Sequence, residues 1–442
     1  MIKYFVSPFA CLAFIILLSY HPAKAQDLLT IDDAIQIGLE NNYGIQISRN
    51  LLDQAENNHS LGNAGFLPSL NLTTSRTERV EDSDFEAGGE SRSTTGARNS
   101  NTNAALSLEW TIFDGFQMFA GYDRLGALRD VSEEQLRFDV ENLVTQITLS
   151  YFNIIRINEQ LKILQNNIEV SEERIEIEET KVDLGSGSEY DLLQARSDLN
   201  ADRAAQLREQ NLLTEAKINL NELLSRNPEE EFEVTDDIDV NRSLIREELY
   251  QRLMFENTRL AIARMEKDIS RFQIREIRGE RLPQISLTSG YSFNRSENDG
   301  GFIRFNETTG FNVGITARIN LFDGFNLNRR VQNAQIDQKN AELSYESEKL
   351  RLESDFLAIY RAYLNSIELV DLEEDNLQNA EQTLDIALER FRLGSISSLE
   401  FREAQRTFMQ AENRLINAKF EAKIAETELF QISGDFGALL NN

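Results

Sequence analysis

The string Phe-Asp-Gly-Phe occurs twice in this chain, at 113–116 and at 322–325. Leu-Gly-Ser recurs at the same offset of 209 residues, at 184–186 and 393–395. Upstream, GFLPSLNL (65–72) corresponds to ERLPQISL (280–287), and LENN (39–42) echoes FENT (255–258). One plan is therefore run twice: short helix, Pro, strand, loop, strand, FDGF, long helix, LGS turn, helix. Two copies make a duplicated unit rather than a solenoid array. The division expected is 1–25 leader, 26–226 first repeat, 227–245 linker and 246–442 second repeat.

Proline placement fits this plan. Pro68 and Pro283 precede the first strand of each copy, Pro228 sits in the linker, and none interrupts 69–227 or 284–442. Very long helices are thereby allowed. Strands are expected at about 69–79, 104–113, 284–294 and 310–321. In the last of these, Phe311, Val313, Ile315, Ala317, Ile319 and Leu321 alternate with Asn312, Thr316, Arg318 and Asn320. Leu106, Leu108, Trp110 and Ile112 alternate likewise, as do Ile285 and Leu287 with Ser286 and Thr288. About ten residues with one apolar and one polar face suit a membrane barrel. A half-buried soluble sheet has the same period. The polar stretches 80–103 and 294–309 read as long solvated loops.

Helices are expected over about 117–183 and 326–392, each about 100 Å long. The first carries a continuous seam (Val140, Leu143, Ile147, Ile154, Ile157, Ile168, Ser171, Ile175) and a second line through Leu149, Ile163, Val170 and Ile177. Two separated seams call for a neighbour on each side, as in a cylinder of helices. FDGF falls where the period changes from two to 3.5. Gly115 and Gly324 permit the turn, and Asp114 and Asp323 can accept from free helix N–H groups. Phe113 and Phe322 suit a membrane–water boundary. Leu184-Gly185-Ser186 and Leu393-Gly394-Ser395 mark the opposite, distal tips.

Lys3, a short apolar run and Ala23-Lys24-Ala25 read as a secretory leader. The chain's one cysteine, Cys11, lies inside it, so disulfide and thiol chemistry leave with it. His59 alone remains of the histidines, in a polar stretch, and no zinc, nucleotide or nucleophile-elbow motif occurs. No catalytic residue, cofactor or metal site is expected, which disfavours a metal-dependent hydrolase. With 45 basic against 74 acidic residues, the chain would be repelled by nucleic acid. No later segment is long and apolar enough for a spanning helix, so a membrane crossing must be a barrel. Four strands cannot close one, and the chain must oligomerise through its free edges.

In their order and duplication, LLTIDDAIQIGLENN, GFLPSLNL, FDGF, LGSGSEYDLLQAR, LNELLSRNP, LPQISL and LGSISSLEFREAQ resemble the outer-membrane efflux protein family, the TolC-like exit ducts. The resemblance implies an α+β membrane protein: a homotrimer in which four strands per chain form a 12-stranded outer-membrane β-barrel, continued by a helical tunnel through the periplasm. It implies a passive conduit for efflux or type I secretion, docked by a periplasmic adaptor and an inner-membrane pump of RND or ABC type. The helix-turn tips would form the adaptor-docking, closable mouth. By distance from Gly394, the mouth's acidic positions are Glu400 and Glu403, with Tyr190 and Asp191 in the first copy. Threefold symmetry would gather six carboxylates, favouring cations. Phe391 and Ile396 stand where some members carry a Tyr–Arg latch, implying closure by apolar packing. The alternative is a secreted coiled-coil scaffold or adhesin.

Overall fold

The computed structural model describes residues 27–234, 237–300, 303–435 and 437–438; the leader division at residue 25 lies outside them. Each repeat runs from a short helix through a β-hairpin into a 67-residue helix and back. In the first, α1 (Ile31–Asn41) and α2 (Tyr43–Asn58) lead into β2 (Ser69–Ala87) and β3 (Glu90–Phe113). Then come α3 (Gln117–Asp183) and α4 (Glu189–Leu223). In the second, α5 (Arg246–Glu256) and α6 (Thr258–Gly279) precede β5 (Gln284–Asn298) and β6 (Phe305–Arg318). They are followed by α7 (Asn326–Arg392) and α8 (Ser398–Ser433). β1 (Asp27–Leu28) pairs in parallel with β4 (Phe232–Glu233) of the linker, tying the N-terminal segment to the junction of the repeats.

The equivalence of the repeats is chemical as well as topological. Asn42 and Asn257 cap α2 and α6, accepting from the backbone N–H of Ile45 and Leu260 at 3.2 and 3.0 Å. Each Asn amide also donates at 2.9 Å to the last turn of the returning helix, at the carbonyls of Leu223 and Ile432. One residue type thus satisfies two helix ends at once.

Four strands form one antiparallel sheet in the order β2-β3-β5-β6, leaving β2 and β6 as free edges. The strands outrun the expected boundaries. β2 and β3 pair up to Ala87 and Glu90 across Gly88-Gly89, so 80–103 is a hairpin and not a loop. The second hairpin leaves only 299–304 between its strands. Hydrophobic alternation ends where both faces meet water, but backbone pairing continues. At the other end β6 stops at Arg318, and Ile319 and Leu321 lie beyond it.

The helices lie side by side in one layer. Away from the sheet, α3 packs between α4 and α8, and α8 lies against α7; near the sheet, α3 packs against α2 and α6, and α6 against α7. The main core sits midway along, where Ile147, Tyr151 and Ile154 of α3 meet Leu220, Phe232, Leu253, Phe356 and Leu429. Tyr151 Oη donates to the Leu29 carbonyl at 2.9 Å, anchoring the N-terminal segment to this core.

Candidate functional site

The sheet has two unlike faces. Direct partners across the four strands share a face, and the pairing aligns apolar rows. These are Trp110, Leu287, Ile315; Leu70, Leu108, Ser289, Val313; and Leu72, Leu106, Tyr291, Phe311. Phe113, Ile285 and Ala317 stand at the helical end, and Thr74, Ala104, Phe293 and Thr309 at the other. Beyond them the same face becomes charged, with Arg76, Arg295 and Glu307 and then Glu78 and Glu297. Five rows span about 27 Å along a strand, or roughly 20 Å once tilted, close to the apolar band of outer-membrane barrels. The other face carries Asn71, Ser107, Gly290, Asn312; Thr73, Ala105, Ser292, Gly310; and Ser75, Asn103, Asn294, Thr308. That face is hydrogen-bonding over the same height, and Glu109, in the row Ser69, Glu109, Thr288, Gly314, is its one charged residue there.

Both strand-to-helix turns are built alike. Gly115 and Gly324 have φ of 75° and 67°, and the following Phe116 and Phe325 are also left-handed, at 68° and 64°. A phenylalanine pays a steric penalty there. Asp114 Oδ2 accepts from the Met118 N–H at 2.8 Å, and Asp323 Oδ2 from Leu327 at 2.7 Å. Phe113 packs edge-on to Phe116, and Phe322 edge-on to Phe325, both at 88°. The copies differ in one respect. A Cβ on Gly115 would lie 2.1 Å from the Gly279 carbonyl of α6, whereas one on Gly324 would meet only the side chain of Asn326, at 3.9 Å. The second turn lacks the neighbour that covers the first.

The same asymmetry runs down the long helices. Glu141, Thr148 and Ile155 of α3 are 2%, 1% and 4% exposed. Their equivalents 209 residues on, Leu350, Leu357 and Leu364 of α7, are 65%, 45% and 48% exposed. With Ile336 and Leu343, also exposed, they form an unbroken heptad seam. Conversely Leu207 of α4 is exposed and its equivalent, Ile416 of α8, is buried.

At the distal tips, Gly185 and Gly394 (φ 73° and 70°) end the long helices. Ser186 and Ser395 N–H groups return to the Lys181 and Arg390 carbonyls at 2.9 and 2.8 Å, closing the last turns. Leu184, Leu393, Leu399 and Tyr190 stand exposed at the apices, with Asp191 half-buried. Glu400 is not free: it completes a capping box, accepting from Ser397 N and Oγ at 2.8 and 2.7 Å. Those bonds hold its carboxyl below the usual range. Glu403 is exposed and pairs with Arg406 of its own helix at 3.3 Å. Phe391 is fully buried, stacked on Phe401 at 4.9 Å with the Lys181 ammonium 3.7 Å from its ring. It therefore joins α7, α8 and α3 within one chain rather than lining an opening.

Sequence reasoning passes over a buried polar network beside these tips. Arg402 of α8 clamps Asp202 of α4 with two bonds at 2.8 and 2.9 Å. Ser171 of α3 donates to Asp202 at 2.9 Å and accepts from Gln405 at 2.9 Å. Arg174, 2% exposed, reaches Asp198 at 2.8 Å and Ser398 at 3.0 Å. Three helices are thus held by charge-assisted bonds. The one sequence signal was Ser171, a polar residue within an apolar seam. Among the described residues no group of three or more His, Cys, Asp or Glu could hold a metal ion, and no helix is long and apolar enough to cross a membrane.

A two-faced sheet continued by duplicated, tube-length helices has a counterpart among known sequences. Residues 34–226 and 249–435 match the family described as outer membrane efflux protein. The chain belongs to that family. It is an outer-membrane protein of the efflux and secretion channels. The proteases secretion protein PrtF of Dickeya chrysanthemi is 20% identical over 420 residues, covering 92% of this chain and 88% of that one. Outer membrane protein TolC of Vibrio cholerae serotype O1 is 21% identical over 317 residues, 69% of this chain and 70% of that one. Among solved structures, the outer membrane protein VceC of Vibrio cholerae superposes with a TM-score of 0.76 at 16% identity. It covers 91% of this chain and 96% of its own. The scaffold or adhesin alternative receives no support from these relatives.

Proposed function

We propose that three copies of this outer membrane efflux protein close into one duct, a 12-stranded barrel continued by a tube of helices, that passively conducts cargo out of the cell. The observation that carries this reading is the repeat asymmetry. Positions buried in α3 by α6 and α8 are exposed in α7, and the neighbours they lack are a second chain's α2 and α4. The sheet asks for the same partner. β6 and β2 run in opposite directions, so β6 of one chain can extend antiparallel onto β2 of the next without changing the pattern. Two copies would give eight strands, an interior that side chains fill; three is the smallest number that leaves a water-filled passage. The polar face, with Glu109 as its one charge at that height, then lines the exit and the apolar face meets lipid.

With no cofactor or catalytic residue assigned, the energy for transport comes from elsewhere, from an inner-membrane pump of RND or ABC type joined by a periplasmic adaptor. The exposed apices (Leu184, Gly185, Ser186, Leu393, Gly394, Ser395) are the docking surface for that adaptor. Glu403, Asp191 and Tyr190 face the mouth. Glu400 sets the start of α8, and Phe391 stiffens the hairpin that carries them. Recording single channels in planar bilayers tests this. Wild type should conduct and prefer cations, and Glu403→Gln should lower that preference. A bilayer-inserted protein that never conducts would refute the duct, and unchanged selectivity would remove Glu403 from the mouth.

A further inference from the structure

The chain carries a net charge of −29, yet one strip of its outer wall has the opposite sign. On α6, Arg264, Arg271, Arg275 and Arg278 fall within about 40° of one another's mean direction, with Asp268 as the one acid among them. The opposite face carries Glu266, Gln273 and Glu280. Which face looks outward follows from a chain of contacts. Trp110, on the apolar face of the sheet, donates from its indole nitrogen to the Phe66 carbonyl at 2.9 Å. Phe66 packs edge-on to Phe119 in the first turn of α3, with ring centres 4.9 Å apart. One turn later, on the same side of α3, Asp123 accepts from Arg275 at 3.0 Å. The arginine face of α6 therefore lies on the side that meets lipid.

Its height is fixed as well. Gly279, the last residue of α6, abuts the strand-to-helix turn at Gly115. Arg278 is then just below the last apolar row, and Arg275 and Arg271 lie about 4.5 and 10.5 Å further down. The headgroup layer on each side of a bilayer is about 5–8 Å thick, and arginine side chains extend toward it. Asp268, Arg271, Phe272, Ile274, Arg275 and Arg278 of α6 and Gln338 of α7 line a cavity of about 410 Å³. Arg275 stacks on Phe272, its guanidinium carbon 4.7 Å from the ring centre. Arg271 is engaged by Asp268 at 2.7 Å and Arg275 by Asp123 at 3.0 Å, whereas Arg278 has no ion pair among the described residues. α6 is flanked on both sides by its own α3 and α7, so closing the oligomer leaves this face open.

We propose that this strip binds the phosphate groups of anionic phospholipids in the inner leaflet of the outer membrane, with Arg278 and Arg275 as the principal contacts. Guanidinium forks match phosphate oxygens in pairs, and basic pockets at a membrane surface select anionic headgroups. The inference rests on the reading that the apolar sheet face meets lipid. The full-length protein would be reconstituted in phosphatidylcholine nanodiscs with and without phosphatidylglycerol, then released for native mass spectrometry to count retained lipid. Phosphatidylglycerol should be retained over phosphatidylcholine by about ten-fold. Arg275→Gln/Arg278→Gln should abolish the preference, and Arg275→Lys/Arg278→Lys, which keeps charge but not the fork, should preserve part of it. Inserted wild type without headgroup preference, or a preference unchanged in the Gln double variant, would overturn the inference. Displacement of the retained lipid by inorganic phosphate would overturn it too, making this a site for soluble anions. Failure to enter the bilayer at all would instead overturn the duct itself.

Discussion

Replacing Leu350 by Asp strikes the exposed seam through which the proposed tube would close. In the single chain Leu350 is 65% exposed, and Leu357 and Leu364 about half exposed. Burying a leucine fully contributes about 1.5–3 kcal/mol, so each seam residue has about 1–1.5 kcal/mol still to gain from a neighbour. Over Ile336, Leu343, Leu350, Leu357 and Leu364 that is about 5–7 kcal/mol per interface. Leu350→Asp removes its own share and carries a carboxylate into the seam, costing about 3–5 kcal/mol per interface. Folding of the single chain should be unaffected, because the position is already open to water. Ser344, exposed and about 120° further round α7, is the control position. Subunit dissociation would be followed by mass photometry in detergent across a urea series. Leu350→Asp should dissociate at distinctly lower urea than wild type, with helix content by circular dichroism unchanged, while Ser344→Asp behaves as wild type. Equal resistance of Leu350→Asp and wild type would show that the seam is not an interface, as would equal damage from Ser344→Asp.

Three other outcomes are expected. Ile315→Arg, in the middle of the apolar face, should cost about 2–4 kcal/mol per chain in folding into vesicles, and Asn312→Arg, on the polar face, should be tolerated; equal effects would reverse the face assignment. Arg402→Met strands Asp202 and should destabilise the tip by about 3–5 kcal/mol, with much of that loss recovered in Arg402→Met/Asp202→Met, as a double-mutant cycle would measure. Glu412 of α8 is pushed up to about 7 by burial and then by Glu381. Its charge therefore opposes folding above pH 7, less so as pH falls, and not at all below its ordinary value of 4.5. Glu412→Gln should raise urea resistance at pH 8 and leave it unchanged at pH 4, and a variant that is no more stable at pH 8 would contradict this.

A helix-dominated chain with four strands is legible in the sequence because its signals are redundant. Proline-free stretches, two seams and duplicated turns all point one way. Strand ends are not legible, because alternation records only the stretch where the two faces differ in polarity. Past Arg76 and Arg295 both faces are wet, so β2 and β3 continue as paired backbone without an apolar signature. Glu400 carries two signals at once. Its place in a resembling family suggests a mouth, yet Ser397-x-x-Glu400 is also a capping-box string, and the local hydrogen bonds claim the carboxylate. Position alone puts Phe391 near the mouth, whereas stacking on Phe401 across the turn buries it in the core. The Arg402–Asp202 clamp joins residues 200 positions apart, and no local pattern announces it.

If identical copies supply what one chain lacks, a cryo-electron microscopy reconstruction of the purified protein in lipid nanodiscs should show a threefold tube with β6 of each copy on β2 of the next and an open axis. A monomer in lipid, or an assembly with a solid axis, would contradict it.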